Sequence, residues 1–264
     1  MNTSCSVLAC LLTLPMLATA QTASQSESPS SPRWGLGLGL MVKDSPYAGE
    51  GTKTTALPLI RYEGERFYFR GLTAGAHLMH SKGFSLDAIA SLRTDGISAK
   101  DFGVQELARN GINRSLLEDR DNGLDLGVAA SWRGAAGEFE LSAKADVTGA
   151  SEGFELSARY GYGFQLGRGR LTPSISVSHL SKDMANYYYG TLNEEVARGV
   201  VDYKPGAATI PKLGLTYVHP IGQHWQFMTA LQYKVLPKKI TNSPLLKAGT
   251  NGEGSVMFGL SRSF

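Results

Sequence analysis

Three groups of residues have the types and spacings that chemistry uses. His179-Leu180-Ser181 sets an imidazole two places from a hydroxyl, with Glu194 and Glu195 in the segment that follows. A serine activated by a histidine, itself oriented by a carboxylate, is acyl-transfer machinery. Asp119-Arg120-Asp121-Asn122-Gly123 has the alternating acids of a calcium loop. Its glycine falls one place early and the distal glutamate is missing, so an Asx-rich turn ahead of a strand accounts for it. The third group is charges of both signs spread along alternating segments: Asp87, Arg93, Asp125, Arg133, Glu138, Glu140, Lys144, Asp146, Glu155, Arg159 and Lys234. His77, His80, His219 and His224 show no metal-ligand spacing with acidic or cysteine partners, and the glycine-rich run from Gly35 leads into no helix that could cradle phosphate. On these grounds the sequence assigns no catalytic, cofactor-binding or metal-binding residue.

The elements that must position these groups are strands. Near the C-terminus Val256, Phe258, Leu260, Arg262 and Phe264 alternate with Ser255, Met257, Gly259, Ser261 and Ser263. That is a period of two with one apolar face and one small or polar face. The pattern recurs in Trp34, Leu36, Leu38, Leu40 and Val42; in Leu124, Leu126, Val128, Ala130 and Trp132; in Phe139, Leu141, Ala143, Ala145 and Val147; and in Leu171, Pro173, Ile175 and Val177. A soluble sandwich would have to bury all these apolar faces without a helical layer. A transmembrane barrel turns them to lipid and keeps the polar faces inside. Mixed charge on the inner faces then favours mutual pairing over the one-sign ring of an ion-selective pore.

Each run is about the length a tilted strand needs to cross a bilayer. Tight turns at residues 63–65, 81–83 and 167–169 contrast with long connections at 94–122, 181–208 and 237–252. Short turns on one side and long loops on the other are the asymmetry of an outer-membrane barrel. Direct counting finds about eleven strands, and single-chain bacterial barrels have an even number. A break near Gly71 inside residues 66–79 raises the count to twelve, the preferred reading; leaving the first segment out of the wall lowers it to ten. Within the first long connection, Val104, Leu107, Ala108, Ile112 and Leu116 recur at spacings of three and four. This predicts a short amphipathic helix over 104–117 that caps the barrel mouth.

The chain carries 31 glycines, 19% charged residues and a net charge of +3, too weak a balance to argue for nucleic acid. Both cysteines, Cys5 and Cys10, fall in an apolar N-terminal run that closes on Ala18-Thr19-Ala20, a pattern of signal-peptide cleavage. Lipidation at Cys10 is the weaker alternative, because the apolar run continues past it. The organisation expected is a signal peptide over residues 1–20, a Ser-rich periplasmic linker over 21–33, and a closed antiparallel transmembrane β-barrel over 34–264.

The stretch LPLIRYEGERFYFRG at residues 57–71 resembles the MipA/OmpV family of Gram-negative outer-membrane proteins: a Pro-containing strand, a Tyr-Glu-Gly turn and an aromatic strand ending in Arg-Gly. Asn186-Tyr187-Tyr188-Tyr189-Gly190, then Ala197-Arg198 and Tyr203, and Ser243-Pro244-Leu245 agree with it. The terminal Phe264 resembles the signal through which the barrel-assembly machinery recognises its clients. The resemblance implies a non-enzymatic barrel in the outer membrane, acting as a scaffold between a murein lytic transglycosylase and a peptidoglycan synthase. A narrow small-solute channel is the alternative. His179 and Ser181 are similar in spacing to the pair of outer-membrane lipid A deacylases, which makes a lipid-modifying hydrolase the third reading.

Overall fold

The computed structural model describes residues 33–264; the expected leader, and all but the last residue of the expected linker, lie outside the described residues. Twelve antiparallel staves close on themselves. They are β1 (Trp34–Asp44), β2 (Thr52–Glu63), β3 (Phe67–Arg70), β4 (Thr73–Ser81), β5 (Phe84–Arg93), β6 (Gly123–Gly134) and β7 (Gly137–Asp146). Then come β8 (Phe154–Gly161, resumed after a two-residue break by Phe164–Leu166), β9 (Gly169–Leu180), β10 (Ala208–Ile221), β11 (Trp225–Val235) and β12 (Gly252–Ser263). Closure comes from β1 pairing with β12, Leu38 opposite Leu260. Among the described residues no helix is long and apolar enough to cross a membrane.

The expected break at Gly71 is what makes the count even. Gly71 takes φ +62, a left-handed conformation glycine adopts without strain, and turns the chain between β3 and β4. A bulge between His77 and Met79 then shifts the register of β4 against β5. It leaves Leu78 and Met79 both exposed on the outer surface. The break in β8 also has a local cause. Pro173 lies opposite it on β9, where its carbonyl accepts from Tyr162 N and its ring supplies no N–H in return.

The barrel is inside-out relative to a soluble domain. Leu38 is 73% exposed and Ile175 60%, with Leu126, Leu141, Leu213, Phe258 and Leu260 exposed on the same surface. Near the short-turn end Trp34 packs on Tyr62 at 4.6 Å, and Trp132 packs against Phe84 and Phe139. This is an interfacial aromatic girdle.

The packed apolar core sits above the wall, in the long loops. Tyr47, Ile97, Phe102, Leu107, Ile112, Met184, Tyr188, Ile240 and Leu245 are buried together. They come from loops that also carry α1 (Val104–Arg109), α2 (Lys182–Tyr189), α3 (Asn193–Ala197) and α4 (Lys238–Thr241). The helix expected over 104–117 does join this cap, through fully buried Leu107, but it is shorter than its periodicity suggests. It ends at Arg109 because Gly111 adopts φ +79, and a single 3-10 turn follows at Arg114–Leu116.

Candidate functional site

Alternation along each strand fixes which side chains enter the lumen, and the register fixes which of them meet. Arg93 at the upper end of β5 lies across from β6 and reaches β8. Its Nη2 donates to Asp125 Oδ2 at 2.6 Å and to Glu155 Oε2 at 2.7 Å, and Nη1 donates to Asp95 at 3.1 Å. Lys144 stands 3.9 Å from Asp125 and 3.8 Å from Glu155, and Lys212 is 3.9 Å from Glu155. On the other side Lys234 bonds Glu253 at 2.9 Å and faces Asp95 at 3.9 Å, while Lys43 reaches Glu253 at 3.2 Å. Arg93, Lys144, Lys212, Lys234 and Lys43 thus interlock with Asp95, Asp125, Glu155 and Glu253 in a belt beneath the cap. Neither sign dominates, so the belt has no ion-selective field. Each carboxylate has at least two cations within 4 Å, so losing one member costs less than the ~3–5 kcal/mol typical of breaking an isolated buried pair.

Asp95 in the loop after β5 ties the two halves of the belt together. Burial opposes its ionisation, but Lys234, then Lys43 and Arg93, outweigh burial and hold its carboxyl well below the usual range. Directly above, burial pushes the phenols of Tyr47 and Tyr189 far up, so both are neutral lids over a charged layer.

The cap is braced by one buried ion pair. Arg120 Nη1 and Nη2 donate to Glu195 Oε1 and Oε2 at 2.7 and 2.9 Å, and both residues are almost wholly enclosed. The same guanidinium donates to the carbonyls of Glu118, Tyr187 and Gly190. Arg120 therefore joins the 94–122 loop to the 181–207 loop across the mouth. Asp119 beside it accepts from Ala99 N at 2.6 Å and Ser98 Oγ at 2.9 Å, and these bonds lower its pKa. The Asp119–Gly123 run is a loop brace, as an Asx-rich turn would be.

His179 and Ser181 are each hydrogen-bonded to other groups. His179 faces outward, as its phase implies, and its Nδ1 bonds Thr209 Oγ1 at 2.9 Å. Ser181 Oγ caps α2, accepting from Met184 N at 3.3 Å and from Phe154 N at 3.0 Å. Of the two glutamates, Glu195 is committed to Arg120. The nearest thing to a polar dyad lies elsewhere, in the lower lumen. There His77 Nδ1 meets Asp87 Oδ1 at 2.6 Å, with Ser85 donating to the other carboxylate oxygen. Asp87 of this pair lines a cavity of about 440 Å³ that Ser131, Ser142, Ser157 and Arg159 help to form.

Of the eleven charges read as inward from alternation, Arg93, Asp125, Lys144, Glu155 and Lys234 share the belt, and Asp87, Arg133, Glu138, Glu140 and Arg159 line the cavity below it. Asp146 instead closes the turn after β7, accepting from Thr148 N and Ser151 N. Sequence reasoning missed Lys43, Asp95, Lys212 and Glu253. Asp95 lies off a strand, Lys43 and Glu253 at strand ends, and Lys212 follows Pro211 in a strand of weak alternation. Only the register brings them together.

Comparison with known proteins places the whole barrel. The chain is 34% identical over 240 residues to "Putative outer membrane protein YiaT" of Escherichia coli K12, covering 89% of this chain and 90% of the relative. It is 26% identical over 238 residues to "MltA-interacting protein" of the same organism, covering 90% and 92%. Outer membrane protein OmpV of Vibrio cholerae aligns at 26% over 130 residues, 49% of this chain and 51% of that one. Among solved structures a NanC porin overlays with a TM-score of 0.47 at 9% identity, over 87% of this chain and all of that one. With its lipid-facing apolar wall, the protein is a barrel of the Gram-negative outer membrane. Residues 36–264 match the family described as MltA-interacting protein MipA, and the chain belongs to that family.

Proposed function

We propose that this barrel is a non-enzymatic scaffold, held in the outer membrane to recruit enzymes that remodel peptidoglycan. The observation that carries the reading is the double closure of the lumen: a cap with its own apolar core over a belt of interlocked charges. A wall built to conduct has no use for both. What remains available to partners is the periplasmic side: the short turns and the linker ahead of β1, which lies outside the described residues. The relative named for interaction with MltA supports a lytic transglycosylase as one partner. A murein synthase as the second is what the family resemblance implies. Purified protein in planar bilayers is expected to stay silent. Affinity capture in mild detergent is expected to retain a lytic transglycosylase, and its absence would remove the main support for the scaffold.

A narrow solute channel is the second reading. It is favoured by cavities above and below the belt, of about 420 and 440 Å³, that share Gln232 in their linings. Steady conductance steps from the intact protein would establish it over the scaffold.

A further inference from the structure

The wall is not complete at every height. β3 has four residues and stops at Arg70, whereas its neighbour β2 runs for twelve. β3 pairs with β2 only at Arg61, Tyr62 and Glu63, and the last bond across that seam is Gly71 N to Ile60 O. On the far side β4 meets β5 up to Thr73 opposite Ser91, with Leu92 N donating to Leu72 O. The hairpin tip at Gly71-Leu72 therefore lies partway up the wall. Above it, Thr52 to Leu59 of β2 have no strand partner on that side among the described residues. At about 3.3 Å per residue this open edge runs for roughly 26 Å, and two absent staves leave roughly 14 Å between β2 and β5 at about 4.8 Å per step.

The bonding parity shows which groups face the gap. Ile60 O points to the hairpin and Glu63 N points to the β1 side, so the even residues Thr52, Thr54, Ala56 and Pro58 turn their backbone groups to the opening. Pro58 lacks an N–H where a partner strand would need one, the placement proline takes on edge strands. Orphan backbone groups cost several kcal/mol each in hydrocarbon, so bare acyl chains cannot cover this edge. Something polar must meet it. Behind the gap lies the upper cavity of about 420 Å³, whose lining includes Thr55 and Leu57 on one rim, Leu72 below and Thr94 and Gly96 on the other rim. Its charged lining is balanced: Lys43, Lys53 and Lys234 against Glu50, Asp95 and Glu253.

We infer that this gap is a lateral port, through which the upper cavity takes a single-chain amphiphile with an uncharged or zwitterionic polar end from the outer leaflet. The polar end bonds the free edge of β2 and enters the cavity, where balanced charge gives no preference for a net ion. The chain stays outside, past Leu72 and Leu92. Because the cap closes the axial route, the port is the cavity's opening toward the membrane. The inference is independent of the scaffold reading: capture of murein enzymes tests one, and access from lipid tests the other.

The test places one cysteine in the lumen of the full-length protein, with Cys5 and Cys10 replaced by serine. Thr55→Cys lies on the port rim; Ala129→Cys faces the lumen behind closed wall. N-dodecylmaleimide, which partitions into bilayers and is uncharged, is expected to modify Thr55→Cys severalfold faster than Ala129→Cys in reconstituted vesicles. Dodecylphosphocholine below its micellar concentration is expected to slow the first reaction and leave the second unchanged. Equal rates at the two sites, or no protection at Thr55→Cys, would overturn the port. Leu57→Cys serves as the second rim position if Thr55→Cys does not fold, as judged by heat-modifiable migration.

Discussion

Arg120 shows how much one side chain can decide. Its guanidinium satisfies Glu195 with two bonds and three carbonyls besides, with almost no solvent access. Arg120→Ala leaves that carboxylate uncompensated, a loss of about 3–5 kcal/mol to the cap. Limited proteolysis within residues 94–122 and 181–207 should accelerate strongly while the barrel keeps its heat-modifiable migration. Ser181 is a milder case. As the cap of α2, its change to alanine should cost about 1 kcal/mol, and lipid A from cells carrying Ser181→Ala should keep the wild-type acylation pattern. Asp95 supplies the pH dependence. Its carboxyl is held below its ordinary value, so its contribution to closure is full above the unfolded value of about 3.9 and is lost as pH falls below it. Protease protection of the cap should therefore be flat from neutrality down to about pH 5 and decline only below about 4.

At the scale of elements, the β3–β4 hairpin carries the most consequence. Its geometry depends on two glycines with different jobs. Gly71 supplies the left-handed turn, and Gly75 leaves room for the Tyr68 ring, which a Cβ there would meet at 2.2 Å. Gly75→Val should push that ring off the inner wall and away from His77, whose ring centroid is 5.0 Å away. The readout is a fall in thermal stability in detergent, with quantified loss of the Tyr68–His77 contact by NMR. The strands themselves were legible because alternation is a local property: Leu36, Leu38 and Leu40 announce an outward face without knowledge of any neighbour. The hairpin was legible as a break at Gly71 because an even number of staves demands one. The shortness of β3 was not legible, since Thr52 to Leu59 alternate whether or not a strand lies beside them. The cap was legible only as one helix, because loop residues such as Tyr47, Met184 and Leu245 share no period; they meet through the closure of the barrel beneath them.

For the whole molecule, two closures in series govern what the barrel can pass. The cap is a packed apolar layer, and the belt below it is built on different elements from different forces. Removing the first need not remove the second. If residues 181–207 are replaced by a short Gly-Ser turn, Tyr188, Met184 and Glu195 leave the mouth, and the brace to Arg120 goes with them. Arg93, Lys144, Lys212, Lys234 and Lys43 remain tied to their carboxylates on strands and on the 94–122 loop. The deletion variant should then show small conductance with little preference between cations and anions, since five cations face four carboxylates in the belt. Adding Lys234→Gln together with Lys43→Gln leaves three cations against four carboxylates and strips Glu253 of both its partners, so the remaining field turns negative and cation preference should appear. Planar-bilayer reversal potentials in a salt gradient measure both effects. A large, unselective conductance from the loop deletion alone would show that the cap is the sole barrier and that the belt only stiffens the wall.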